Sequence, residues 1–235
     1  MGGQGDPRGG MSPSLRSMEW LTALAWAAVA ALLTLATPTI LRALSEPADD
    51  PDKRPYASLA TVRFTLGVGA CCLVAGGIVS WRLPLSLWPA WGAMASLGTL
   101  LGAIDARTTY LPRVLCWWGW ALTALGVAVS AWWMGTPTPL VTAAVCSLAA
   151  GGFFAAVWWV GGGKLGFGDV RLAFMIGGAT GAVSWQLTMW AVFAGTLTAL
   201  VWGIAVALWK RRDGAFAYGP GLIVGTFVAV ALNAA

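Results

Sequence analysis

Residues 114–134 (VLCWWGWALTALGVAVSAWWM) and residues 140–160 (LVTAAVCSLAAGGFFAAVWWV) are two consecutive apolar runs that contain no charged side chain. Each run has about the 20 residues that an α-helix needs to cross the hydrocarbon core of a bilayer. In lipid the backbone must satisfy its own hydrogen bonds, which a helix does within one segment. The two runs therefore predict two membrane-spanning helices.

Apolar segments of similar character recur on both sides of this pair. They cover residues 20–40, 65–79, 87–104, 170–183, 187–209 and 221–235. We therefore predict an all-α, polytopic transmembrane helix bundle of about eight spans. The segment at 170–183 is short and rich in glycine, so the alternative is six or seven full spans with one re-entrant piece.

The composition of the 235-residue chain agrees with a membrane protein and excludes several kinds of chemistry. Hydrophobic residues make up 58% of the chain and charged residues 10%, against about a quarter charged in typical soluble domains. The chain has no histidine, which excludes Ser-His and Cys-His nucleophiles and HExxH zinc sites. The net charge of +5 is better explained by loop charges that set membrane orientation than by a nucleic-acid partner.

Changes in composition divide the chain into four parts. Residues 1–17 are rich in Gly, Pro and Ser and predict a disordered tail. Residues 18–44 contain the first span, which is long for the h-region of a cleaved signal peptide and is predicted to be retained. Residues 45–56 carry acidic side chains and prolines, which predict a short cytoplasmic loop, and residues 57–235 form the bundle that carries the candidate site.

The basic residues predict how the bundle lies in the membrane. If the N-terminus is outside, most Lys and Arg residues fall in loops on one side, whereas Arg8, Arg16 and Arg82 fall on the other. Because cytoplasmic loops carry the excess of Lys and Arg, the richer side is predicted to be cytoplasmic. Tryptophan pairs such as Trp117 and Trp118 lie near span ends, where such rings settle at the lipid headgroups. We therefore predict a multi-pass protein of the inner or plasma membrane.

Two aspartates are the candidates for chemistry. From Thr65 onward the only acidic residues are Asp105, Asp169 and Asp213, and Asp213 lies in a KRRDG loop that explains it as a solvated charge. Asp105 ends one apolar run and Asp169 begins another, so each lies where a helix meets the cytoplasmic membrane face. Ionisable groups at such positions are costly, and a functional role is the default hypothesis.

Two carboxylates that converge in a partly dry site can act together. Because they cannot both ionise cheaply, one holds a proton while the other stays charged. The charged member can then take a proton from a shared water while the neutral member donates to a scissile carbonyl, as in an aspartyl protease. The alternative is a structural one, in which Asp105 pairs with Arg107 and Asp169 pairs with Arg171 as interfacial salt bridges.

Glycines and basic residues surround Asp169 and are the predicted loop and substrate-binding residues. Gly166 and Gly168 lack a Cβ, which would permit a turn with positive φ or let an extended substrate backbone lie against the acid. Lys164 and Arg171 flank the segment, and we predict that they orient the loop near anionic headgroups rather than tune Asp169.

Three further residues have predicted structural roles. Pro112 begins a span, where a first-turn proline costs nothing because its missing N–H would be unpaired anyway. Gly177 and Gly181 form a small-xxx-small pattern that is typical of tight helix packing.

Three segments of the chain carry motifs in a fixed order. Residues 104–112 (IDARTTYLP) contain an Asp followed seven residues later by the Pro of a Leu-Pro pair. Residues 164–172 (KLGFGDVRL) contain a GxGD sequence with flanking basic residues, and residues 216–222 (FAYGPGL) place Phe and Gly-Pro before the last span. These segments resemble the motifs of the type IV prepilin leader peptidases, membrane aspartyl proteases of the GxGD type, and the resemblance gives Gly219 and Pro220 a structural role.

The resemblance implies that Asp105 and Asp169 are the catalytic pair, with no metal or cofactor. It also implies a pilin-like precursor as substrate, whose short basic leader lies in the cytoplasm and is cut next to its hydrophobic helix. Larger members carry a loop with paired CxxC motifs suited to zinc and also N-methylate the new terminus. Because residues 45–56 contain no cysteine, we predict a peptidase without methylation.

Three other functions are kept as alternatives. A GxGD protease acting on other membrane peptides, as signal peptide peptidases do, typically has Tyr before the first aspartate, where this chain has Ile104. A transporter or channel with an ion or proton relay predicts acids at different membrane depths. A non-enzymatic assembly subunit would tolerate the loss of either carboxylate.

Overall fold

The computed structural model describes residues 13–46, 54–163, 165–210 and 217–233, and in these ranges the regular structure is entirely helical. The predicted all-α transmembrane bundle is therefore confirmed. The helices are α1 (Pro13–Ala43), α2 (Val62–Arg82), α3 (Trp88–Ala93), α4 (Thr99–Thr108), α5 (Arg113–Met134), α6 (Thr138–Val160), α7 (Phe167–Gly181), α8 (Trp185–Lys210) and α9 (Gly219–Asn233). A π-helical turn joins α3 to α4, and short 3₁₀ turns, Tyr56–Leu59 and Leu85–Leu87, precede α2 and α3.

Each of the eight predicted apolar segments corresponds to helical structure in the described residues, but the helices differ in length. Six stretches of the described chain are long and apolar enough to span a bilayer: Trp20–Ala43, Val62–Arg82, Leu85–Thr108, Arg113–Met134, Thr138–Val160 and Trp185–Val206. Helices α7 and α9 have 15 residues each, which gives a length of about 22 Å against about 30 Å for the hydrocarbon core. The short segment that the sequence singled out at 170–183 is therefore a short helix, and α9 is a second one.

One predicted boundary differs from the structure, and parts of the predicted tail and of the predicted loop lie outside the described residues. The first helix begins at Pro13, inside the segment that was predicted to be a tail, because the helix extends on the N-terminal side of its apolar run. Residues 1–12 and 47–53 lie outside the described residues, as does Asp213. The orientation with the N-terminus outside stays a prediction.

The outer surface of the bundle is apolar, as expected for a protein in contact with lipid. Large side chains such as Leu35, Trp132 and Leu148 are exposed on the helices, an arrangement that soluble proteins avoid over large areas. Inside the bundle, α7 packs against α5, α6, α8 and α9, and its residues are almost all buried from Asp169 to Gly181. Multi-pass membrane insertion explains both features.

Small residues allow the close approach of α6 and α7. A Cβ atom on Gly177 would overlap the backbone carbonyl of Cys146, and one on Gly181 would lie 2.9 Å from the Cα of Ala143. The hydroxyl of Ser147 also donates a hydrogen bond to the carbonyl of Phe174 at 2.8 Å. The predicted packing role of the two glycines is confirmed, since helices in lipid associate through such steric fit.

The substitution Gly177→Ala is expected to reduce the free energy of unfolding by about 1–3 kcal/mol, because the added methyl group meets the backbone of α6. Thermal unfolding of the purified protein in detergent measures the effect. The matched control is Gly152→Ala, where a Cβ meets nothing within 4 Å. Equal melting temperatures for the two variants would contradict this explanation of the packing.

Candidate active site

Both candidate aspartates line one cavity of about 650 Å³ at one end of the bundle. The cavity lies where α1 and α4 end and where α5 and α7 begin, so distant parts of the chain form its wall. Of the predicted loop residues, Gly166, Gly168 and Arg171 also line it. Lys164 lies outside the described residues. The structure thus brings the two acids together with most of the residues predicted to surround them.

Asp105 lies in the last turns of α4 and is 3% exposed. Its Oδ2 accepts a hydrogen bond from the backbone N–H of Gly219 at 2.9 Å. Gly219 is the first residue of α9, where backbone N–H groups have no partner within the helix. Gly219 therefore does more than the structural role predicted for it, because it holds the carboxylate of Asp105 in place.

Asp169 lies in the first turn of α7 and is 6% exposed. Among the described residues its buried Oδ1 has no hydrogen-bond partner. Such an orphan oxygen is costly and calls for an explanation, and a water or a substrate group in the cavity would provide one. Asp105 lies close enough to interact electrostatically with Asp169.

The structure of the described residues does not contain the alternative salt bridges, in which Asp105 pairs with Arg107 and Asp169 pairs with Arg171. Within the described ranges, no Lys or Arg nitrogen lies within 4.0 Å of either carboxylate. Arg107 is exposed, and the guanidinium of Arg171 instead lies over the ring of Phe167, 4.8 Å from its centroid. Both aspartates are therefore buried without a basic partner in this part of the chain.

The glycines before Asp169 do not form the turn with positive φ that the sequence suggested, whereas their role in admitting a substrate backbone stays a prediction. Gly166 has φ −65° and ψ 132°, and Gly168 lies within α7, so the prediction of positive φ is wrong for both. Positive φ occurs instead at Gly162 and Gly163. A Cβ on Gly166 would lie 3.1 Å from Oδ2 of Asp169, so this glycine leaves room for the carboxylate itself.

Packing explains Gly168, whereas Pro112 and Pro220 are explained by their positions at the beginning of helices. A Cβ on Gly168 would lie 2.7 Å from the Cβ of Leu111, in the loop that connects the end of α4 to α5. Pro112 is the residue immediately before α5, and its carbonyl accepts the first hydrogen bond of that helix from Cys116 at 3.1 Å. Pro220 follows Gly219 in the first turn of α9, where a proline is well tolerated.

The connection between α1 and α2 contributes a wall of the cavity that was not predicted from the sequence. Tyr56 is 2% exposed and lines the cavity, and its backbone N–H donates to Oε1 of Glu46 at 2.6 Å. Burial raises the pKa of Tyr56. Tyrosine is rare in this chain, with 3 tyrosines against 16 tryptophans, and two of the three, Tyr56 and Tyr110, line this cavity.

In the described ranges, no group of three or more His, Cys, Asp or Glu side chains could hold a metal. Comparison of the chain with models of known protein families, with curated proteins and with solved structures finds no match. The two buried carboxylates and their surroundings are therefore the ground on which a function can be assigned.

Proposed function

We propose that this membrane protein is an aspartic endopeptidase that removes the basic leader from type IV prepilin-like precursors at the cytoplasmic membrane face. The observation that carries the proposal is the pair Asp105 and Asp169, which line one cavity, are almost fully buried and have no basic partner among the described residues. Buried like charges favour a shared proton, which is the state that an acid–base pair needs.

The surroundings of the two acids suggest a different role in proton transfer for each of them. The N–H that Gly219 donates to Asp105 stabilises negative charge on that carboxylate, so Asp105 is the general base in the proposed mechanism. Asp169 has an unpartnered oxygen and holds the shared proton. Asp105 then takes a proton from a water held between the two acids, and Asp169 donates its proton to the carbonyl oxygen of the scissile peptide.

The position of the cavity supports a substrate that is cut beside a membrane helix. Asp105 lies near the end of the span Leu85–Thr108, so a peptide bond just outside a neighbouring transmembrane helix can reach the same level. The resemblance to prepilin peptidases adds the substrate class, a precursor with a short basic leader. The loop after α1 contains no cysteine and thus offers none of the thiolate ligands of a zinc module, which supports cleavage without methylation.

The arrangement of the acids favours hydrolysis over transport. An ion or proton relay needs ionisable groups at successive depths, whereas Asp105 and Asp169 share one cavity at one end of the bundle. A GxGD protease with other membrane peptides as substrates uses the same pair of acids. That alternative therefore differs from the proposal only in substrate.

Co-expression with a pilin-like precursor tests the proposed function and its product. We expect the wild-type chain to remove the leader and to leave a free, unmethylated N-terminus, which mass spectrometry of the mature pilin measures. A product heavier by one methyl group would contradict cleavage without methylation. An intact precursor beside folded, membrane-inserted enzyme would contradict the substrate class, and cleavage of a signal-peptide remnant by the same protein would assign the alternative one.

A further inference from the structure

Two arginines at the mouth of the cavity have no anionic partner in the described structure. Arg113 is the exposed first residue of α5, and Arg171 is half-buried near the beginning of α7. Both line the cavity, and they are near enough for their charges to repel. No described carboxylate lies within 4.0 Å of either guanidinium. Two neighbouring guanidinium groups that no described carboxylate pairs with favour the binding of an anion. The cavity is also lined by the acidic residues Glu46, Asp105 and Asp169.

The local geometry suits a phosphate group. The guanidinium of Arg171 is held over the ring of Phe167 at 4.8 Å, which orients it before any ligand binds. Arg113 and Arg171 lie near the N-terminal ends of α5 and α7, where the helix dipoles add partial positive charge. Guanidinium groups bind phosphate oxygens in a bidentate manner, so two of them can hold one phosphate.

The surroundings place this pair at the level of the lipid headgroups. Arg113 is the first residue of a stretch long and apolar enough to span the bilayer. About one turn further along α5, Trp117 and Trp118 are 62% and 59% exposed, and exposed tryptophans concentrate at the membrane interface. Phe167 beside Arg171 is 44% exposed. A phospholipid headgroup beside these exposed aromatic rings would lie at the level of the two arginines.

We propose that Arg113 and Arg171 form a binding site for the phosphate of an anionic phospholipid at the mouth of the cavity. The site differs from general attraction to an anionic surface, because it consists of two guanidinium groups that line the same cavity. It does not depend on the proposed peptidase activity. Binding of the lipid and cleavage of a precursor can therefore succeed or fail separately.

Native mass spectrometry of the full chain, titrated in detergent with phosphatidylglycerol or phosphatidylcholine, tests the site. We expect the wild type to retain phosphatidylglycerol in preference to phosphatidylcholine, and R113Q/R171Q to bind phosphatidylglycerol about tenfold more weakly, since charge-assisted contacts are lost. The matched control is R63Q/R107Q. It removes the same charge at the same end of the bundle, where Arg63 and Arg107 are exposed and do not line the cavity.

Four outcomes would overturn the proposal. Equal retention of phosphatidylglycerol by the wild type and R113Q/R171Q would exclude the site. An equal loss of phosphatidylglycerol binding in R63Q/R107Q would show that the lipid responds only to the overall positive charge at this end of the bundle. Competition by inorganic phosphate without selectivity for the lipid would indicate a soluble anion. Normal lipid binding with reduced precursor cleavage in R113Q/R171Q would indicate that the pair binds a substrate carboxylate.

A second double variant keeps the test informative if the glutamine variant does not fold. R113K/R171K retains both charges but loses the bidentate geometry of the guanidinium groups. We expect weaker and less selective retention of phosphatidylglycerol than in the wild type, at an unchanged melting temperature. Unchanged affinity in this variant would overturn the proposed two-guanidinium geometry.

Discussion

Asp105→Asn and Asp169→Asn are each expected to abolish leader removal, with rates that fall by about 10²–10⁴-fold. Asparagine keeps the shape of the side chain, and its amide oxygen can still accept the N–H of Gly219 at position 105. It cannot take or give a proton in the reaction. Because the two acids share one proton and one water in the proposed mechanism, the loss of either stops both transfers.

The control for this experiment is Asp213→Asn, which removes the remaining acid after Thr65. Asp213 lies outside the described residues, and the sequence explains it as a loop charge, so wild-type cleavage is expected. The Asn variants should also keep or gain thermal stability, since each removes one of two like-charged groups that are buried in the same cavity. Cleavage of the precursor by either Asn variant at the wild-type rate would exclude the aspartyl mechanism.

Gly219→Ala is expected to reduce the cleavage rate by about 10²-fold, because small displacements of catalytic groups have effects of that size. A Cβ at this position would lie 2.8 Å from Oδ2 of Asp105, so the carboxylate must move away from the N–H that holds it. Gly166→Ala should have a smaller effect, since its Cβ would lie 3.1 Å from Oδ2 of Asp169. The predicted loss is in kcat, measured with purified precursor.

Gly77→Ala on α2 is the matched control, because a Cβ there meets nothing within 4 Å. It should cleave at the wild-type rate and melt at or above the wild-type temperature, since alanine favours a helix over glycine by about 1 kcal/mol. Wild-type activity in Gly219→Ala would show that the Gly219–Asp105 contact does not set the catalytic geometry. The proposed assignment of Asp105 as the positioned base would then be wrong.

Gly219 and Gly166 each lie beside the carboxylate of one of the two aspartates. Asp105 and Gly219 are 114 positions apart in the chain, and the contact forms because α9 begins beside the end of α4. Gly166 lies three residues before Asp169 in the sequence and leaves room for its carboxylate without an unusual φ. In both cases the absence of a Cβ atom leaves room for a carboxylate. The spacing of the residues in the sequence does not show such a contact.

Much of the helix content follows from local composition. Apolar runs such as 114–134 and 140–160 predict helices wherever they occur, because a backbone in lipid must pair its own polar groups. The same logic placed Asp105 and Asp169 at helix ends, since a charge ends or begins an apolar run. The packing role of Gly177 was also predictable, because small residues at a helical spacing have few other uses in a membrane bundle.

The sequence by itself determined that this chain is a helical membrane bundle with two acids at the ends of apolar segments, since length and hydropathy are local properties. Only the tertiary structure decided that both acids line one cavity, that Gly219 rather than an arginine contacts Asp105, and that Tyr56 completes the wall. The physical reason is that lipid is as apolar as the helix surfaces, so hydrophobicity does not select which helices meet. Steric fit and hydrogen bonds between distant residues make that selection.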